Sequence, residues 1–229
     1  MIKGIIFDMD GVLVNSEPLY SEFEYKFFKN LGANVTIEYF EKYVGCSLKH
    51  TINGICKDFN INIMPLEDIT NLYSKGTELI YSDNPRLKLC EGVVDWLEFF
   101  KSNDYPIILA SSTFKNKIDI CLERFDLKQF FINYIGGDEV NNSKPDPEIF
   151  LKACDELNLK PSECIVIEDS TNGIKAAKSA GCFAIGYLNK GQSCQDLSRA
   201  DIVFDTFGKN KLPMLEKIID EINKKTFNK

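Results

Sequence analysis

Six short apolar runs constrain this chain more than any other feature: Ile2 to Phe7, Pro106 to Ala110, Phe131 to Ile135, Cys164 to Ile167, Phe183 to Leu188 and Ile202 to Phe204. Each has the length of a strand, and they lack the strict alternation of a sheet with one wet face, so both faces must be covered. Helical patterns separate the later runs. One spans Pro147 to Leu157, with Asp146 as N-cap and Pro147 at the first helical position. Another spans Asn172 to Ala180, stopped by Gly181. Strands alternating with helices of this length predict an α/β fold built on a doubly wound parallel sheet.

The stretch from Ser16 to Asn84 differs in kind, since no strand-like run occurs in it. Ser16-Glu17-Pro18 opens a helical pattern in which Leu19, Phe23 and Phe27 share a face, and Gly32 closes it. Further helical stretches are expected at Thr36 to Tyr43, Ser47 to Phe59 and Glu67 to Tyr81. We therefore expect an all-helical domain over residues 16–84, inserted after the first strand of an α/β domain made of residues 1–15 and 85–229. The Lys-rich end, Lys224 to Lys229, reads as a frayed tail.

Composition limits the partners. The chain has 229 residues, enough to bury a full core, and a formal net charge of -7. Such an acidic surface repels nucleic acid and anionic membrane, so neither is expected as a partner. Eight cysteines occur without any CxxC spacing and several lie in apolar stretches, which points away from zinc or a disulfide framework. Buried thiols, and the absence of any apolar run near the ~20 residues of a membrane span, suggest the cytoplasm.

In an open parallel sheet, ligands bind at the carboxyl ends of the strands. Four such ends carry unusual polar residues here. The first offers Asp8 and Asp10, with Gly11 permitting a sharp turn; the second offers Ser111-Ser112-Thr113 before a helical stretch near Lys115, hydroxyls and N–H groups suited to an anion. The third is followed by Gly136-Gly137-Asp138 and by Lys144-Pro145, and the fourth offers Glu168-Asp169-Ser170. Singly, each is ordinary turn or capping chemistry. Together they converge on one crevice.

The charges in that crevice dictate a cofactor. Asp8, Asp10, Glu168 and Asp169 bring four carboxylates together, with Lys144 as the evident counter-charge. Unit charges ~4 Å apart repel by about 4 kcal/mol at an effective dielectric of 20, and a phosphate dianion roughly doubles this. A carboxylate can attack phosphorus there only with a divalent cation, and oxygen ligands select Mg²⁺. Lys144 offsets the remaining negative charge, its direction limited by Pro145.

These motifs resemble the haloacid dehalogenase superfamily, in its phosphatase and β-phosphoglucomutase-like branch with a helical cap. Asp8-Met9-Asp10-Gly11-Val12 matches the first motif, Ser111 the second, Lys144-Pro145 the third, and Glu168-Asp169-Ser170 with Gly173-Ile174 and Ala176-Ala177 the fourth. The resemblance implies that Asp8 becomes an aspartyl phosphate and binds Mg²⁺. It implies that Asp10 acts as acid and then base, with its carbonyl on the metal, and that Asp169 is a metal ligand with Glu168 in or beside the outer shell. Ser111 and the N–H of Ser112 are expected to hold the phosphoryl group, which Lys144 links to the nucleophile. The expected product is a phosphoric-monoester hydrolase, monomeric, acting on a small phosphorylated metabolite.

Two departures bear on the reaction. Asn15-Ser16-Glu17 stands where the family often has Asp-Ser-Glu, a change expected to tune cap motion. β-Phosphoglucomutases use a histidine in the first cap helix, whereas this chain has Tyr20 there and His50 as its single histidine. Hydrolysis is therefore preferred over a sugar phosphomutase. A dehalogenase suits Asp10 and Ser111 less well, and a non-catalytic binding module predicts a missing nucleophile, lysine or metal aspartate. In capped relatives the cap sets selectivity, which makes Gly45, Lys49 and Lys75 candidates alongside Tyr20.

Overall fold

The computed structural model describes residues 1–36, 38–43, 48–189 and 195–227. The chain divides into two compact units, one of Met1–Asn15 with Leu89–Lys229, the other of Ser16–Lys88. The first unit is built on six parallel strands: β1 (Gly4–Phe7), β2 (Ile107–Ala110), β3 (Asn133–Ile135), β4 (Cys164–Glu168), β5 (Phe183–Tyr187) and β6 (Ile202–Phe204). Their order across the sheet is β3-β2-β1-β4-β5-β6, which makes this the doubly wound parallel type the sequence predicts. The first strand is central, flanked by β2 and β4.

Both faces are covered because side chains alternate along each strand. Ile6, Ile108, Ala110 and Val166 point to a layer formed by α6 (Glu148–Glu156) and α7 (Thr171–Ala180), where they pack with Ile149, Phe150, Ala153, Ile174 and Ala177. Phe7 points the opposite way, edge-on to Phe100 of α4 (Val93–Ser102) at 6.0 Å. Helix α4 buries Val93, Trp96, Leu97 and Phe100, spaced i, i+3, i+4, i+7. Burying one such side chain fully contributes about 1.5–3 kcal/mol. Helices α5 (Lys115–Arg124) and α8 (Leu212–Phe227) complete the unit.

Several expected boundaries move. Phe131 precedes β3 instead of joining it, and its ring packs edge-on against Phe7 at 6.5 Å. Helix α6 begins at Glu148, one residue late, although Asp146 Oδ1 still accepts the Glu148 N–H at 3.0 Å. The expected frayed tail is helical through Phe227, since α8 continues to that residue. Gly181 does stop α7, in the left-handed conformation at φ 91°.

The second unit holds α1 (Glu17–Asn30), a 3₁₀ turn at Glu38–Tyr43, α2 (Leu48–Asp58) and α3 (Leu66–Ser82), with no strand among the described residues. Its own core gathers Phe28, Val35, Phe40, Ile52, Ile55, Ile69 and Tyr73. Leu19 and Phe28 are the buried residues of α1, while Phe23 and Phe27 are half-buried and pack against the Tyr73 ring. A polar seam joins α1 to α3, with Tyr73 Oη donating to Glu24 at 2.5 Å and Tyr81 Oη donating to Tyr20 Oη at 3.1 Å.

Candidate active site

Strand register sets the site. Phe7 is level with Leu109 of β2 and Ile167 of β4, so Asp8, the next residue, lies level with Ala110 and Glu168. Its N–H continues the ladder to the Ile167 carbonyl at 3.0 Å, which fixes the backbone from which the carboxylate projects. Gly11 then turns the chain off the sheet at φ 79°. Asn189, just beyond β5, donates Nδ2–H to the Gly11 carbonyl at 3.0 Å, and Cys90 Sγ approaches the same oxygen at 3.5 Å.

Lys144 is buried in the middle. Its Nζ lies 2.5 Å from Asp8 Oδ1, 2.9 Å from Glu168 Oε1 and 3.3 Å from the Ala110 carbonyl, an acceptor for each of its three protons. The ammonium also sits over the Phe150 ring, whose centroid is 4.8 Å from Nζ. Glu168 is itself held, because its Oε2 accepts the Ser170 N–H at 2.6 Å and the Ser170 hydroxyl at 2.9 Å. Ser170 also caps α7, its Oγ accepting the Gly173 N–H at 3.0 Å. A Cβ at Gly173 would strike the Glu168 carboxylate, which accounts for glycine at that point of the fourth motif.

Carboxylate oxygens of Asp8, Glu168 and Asp169 lie within 4.8 Å of one another, all three residues buried. Burial holds the Asp8 carboxyl well above the usual carboxylate range; the Lys144 ammonium opposes this, and the charges of Glu168 and Asp10 add to it. Burial also works against the Lys144 ammonium, but Asp8 and Glu168 outweigh it and keep the lysine charged. Burial, and after it the charges of Asp169 and Asp10, push the Cys90 thiol up to about 12, so it stays protonated. The site holds more negative than positive charge, and its oxygen donors fit a hard divalent cation.

Asp10 takes a different part. Its Oδ2 accepts the Thr113 hydroxyl at 2.7 Å, with Ser111 Oγ at 3.5 Å. Ser111 is buried at the end of β2, whereas the side chain of Ser112 is exposed. Thus Asp8, Asp10, Ser111, Lys144, Glu168 and Asp169 come together from residues up to 161 apart in the chain. Thr113, Asn189 and Cys90 join them. The strand-end rule flags Asn189, but no sequence signal marks Cys90.

The sequence profile of the haloacid dehalogenase-like hydrolases matches residues 5–187. The chain belongs to that family. Among curated relatives it is 35% identical over 180 residues to a phosphorylated carbohydrates phosphatase of Thermotoga maritima, covering 79% of this chain and 82% of that one. It is 28% identical to a phosphoglycolate phosphatase of Shigella boydii, covering 93% and 92%. Among solved structures it superposes on a β-phosphoglucomutase of Clostridium difficile with a TM-score of 0.81, at 26% identity and with 99% and 100% coverage. This haloacid dehalogenase-like hydrolase therefore carries the inserted helical cap domain of its family. In that domain Tyr20 is half-buried on α1 and Lys75 is exposed on α3. Gly45 and the side chain of Lys49 lie outside the described residues.

Proposed function

We propose that the chain hydrolyses a small phosphomonoester, a sugar or polyol phosphate, through an aspartyl phosphate on Asp8. The observation that carries this reading is the buried Asp8–Lys144–Glu168 array at the end of the central strand. In the first step an Asp8 carboxylate oxygen bonds to phosphorus as the bond to the leaving oxygen breaks, and Asp10 gives that oxygen a proton. In the second, Asp10 takes a proton from water as water bonds to phosphorus, and the Asp8–phosphorus bond breaks to release inorganic phosphate. Lys144 lies against both nucleophile and phosphoryl oxygens, while the Ser111 hydroxyl and the Ser112 N–H hold those oxygens.

Asp8, Asp169 and the Asp10 carbonyl would hold Mg²⁺, with Glu168 occupied in orienting Lys144. When bound, the ion supplies charge neutralisation between carboxylate and phosphate. The six described cysteines are buried free thiols, which supports a reducing compartment such as the cytoplasm. Named phosphatases among the relatives support hydrolysis and a small phosphorylated substrate.

A phosphomutase is the competing reading, supported by the structural likeness to a β-phosphoglucomutase. It requires a gated acid or base where this chain has Tyr20, and the ordinary pKa of a tyrosine, about 10, is poorly matched to neutral pH. One incubation decides: β-glucose 1-phosphate, Mg²⁺ and a trace of glucose 1,6-bisphosphate. We expect free phosphate to outpace glucose 6-phosphate, and the reverse ranking would replace hydrolysis with transfer. A panel of small sugar and polyol phosphates, assayed for phosphate release, identifies the substrate class.

A further inference from the structure

We propose that Thr113 is a positioning residue for Asp10, held in place by the Gly136–Gly137 pair; this rests on Asp10 serving as acid and base. Asp10 lies beyond the last ladder residue of β1 and is half-exposed, so its side chain needs a partner to adopt one orientation. The Thr113 hydroxyl supplies it, donating to Oδ2 at 2.7 Å and thereby setting the plane of the carboxyl group. Ser111 Oγ, 3.5 Å from the same oxygen, is too distant for a strong hydrogen bond. The two hydroxyls thus divide the work, Thr113 on Asp10 and Ser111 on the phosphoryl group.

Thr113 can hold another residue because it is itself held. Its N–H donates to Ser111 Oγ at 3.1 Å, and its carbonyl accepts the Gly137 N–H at 3.0 Å. The loop after β3 reaches it only because residues 136 and 137 lack side chains. A Cβ on Gly137 would strike the Ser112 carbonyl, and one on Gly136 would lie 2.5 Å from the Lys115 nitrogen. Asp138 adds a strap, its Oδ1 accepting the Lys115 N–H at 2.8 Å. The β-branched Thr113 then has few rotamers by which to miss Asp10.

The test separates orientation of the acid from general damage. For an alkyl phosphate the leaving oxygen needs a proton, whereas p-nitrophenolate departs without one, and kcat/KM covers the steps up to that departure. Thr113→Val keeps the shape and removes the donor. It is expected to lower kcat/KM on the order of 10–100-fold for alkyl phosphates, as misplacement of a reacting group does. The loss for p-nitrophenyl phosphate should be at least about tenfold smaller. Thr113→Ser, which keeps the hydroxyl, should recover most of the alkyl activity, and Gly137→Ala should reproduce the selective loss. Should Thr113→Val not fold, Thr113→Ala is read in the same way. Equal losses on both substrates, or no loss on the alkyl one, overturn the assignment. Undiminished alkyl hydrolysis by Asp10→Asn would instead remove the underlying role of Asp10.

Discussion

Three buried side chains, Asp8, Lys144 and Glu168, define one another at the residue scale, and each is replaceable by a near-isostere with a distinct result. Asp8→Asn keeps the size and loses the nucleophile, so phosphate release should fall by at least about 10⁴-fold with circular dichroism unchanged. Turnover near the wild-type rate in that variant would sink the aspartyl-phosphate route. Glu168→Gln is subtler. Both carboxylate oxygens accept hydrogen bonds, Oε1 from Lys144 and Oε2 from Ser170. An amide must turn its NH₂ toward one of these donors, so urea unfolding should show a loss of about 1–3 kcal/mol, accompanied by lower kcat. An unchanged unfolding midpoint would mean that Glu168 does not orient the lysine. The acidic and lysine residues were legible because strand-end carboxylates and a lone cation have few other uses together. The Thr113 contact with Asp10 was not, since it depends on how two loops 103 residues apart meet.

At the level of elements, α7 and the strand before it act as one device. Ser170 caps the helix and holds Glu168, and Gly173 leaves room for that carboxylate. Gly173→Ala would ordinarily favour a helix by about 1 kcal/mol, yet here it should lower kcat at least tenfold by displacing Glu168 from Lys144. A more stable and fully active Gly173→Ala protein would contradict that packing. In the helical unit, burial raises the pKa of Glu24, and the Tyr73 hydroxyl opposes the shift only in part. Ionised Glu24 therefore costs stability that is absent below about pH 4.3, its unfolded value, and fully present above the folded value. The melting temperature of Glu24→Gln relative to wild type should consequently rise between pH 4 and 8; a flat difference would place the carboxylate in water. Helix α4 was legible in principle from its i, i+3, i+4, i+7 spacing, and α8 was misread at its Lys-rich end because charge alone does not distinguish a helix end from a tail.

For the whole molecule, a metal bound at the acidic cluster would link site to stability. At a hundred times its Kd, an ion bound only by the folded chain adds about 2.7 kcal/mol, or roughly 5–10 °C in Tm for a protein of this size. Mg²⁺ should therefore raise Tm and support turnover, with a chelator reversing both; full turnover in excess chelator would rule out the metal reading. The parallel sheet was legible because strands buried on both faces leave uninterrupted apolar runs, whereas strand order was not, being set by which edges pair. That order has a consequence for how the chain is made. Strand β1 has no partner until β2 is synthesised a hundred residues later, and its other edge waits for β4, 157 residues after Phe7. At about 5–20 residues per second, a ribosome takes roughly 8–30 s to cover that distance. The contiguous Ser16–Lys88 unit, with its own core, has all its pieces long before then. Chains stalled near residue 130 should thus protect the helices from protease while the segment bearing the nucleophile remains cleavable, so that the helical unit is finished well before the strand ends of the catalytic apparatus can meet.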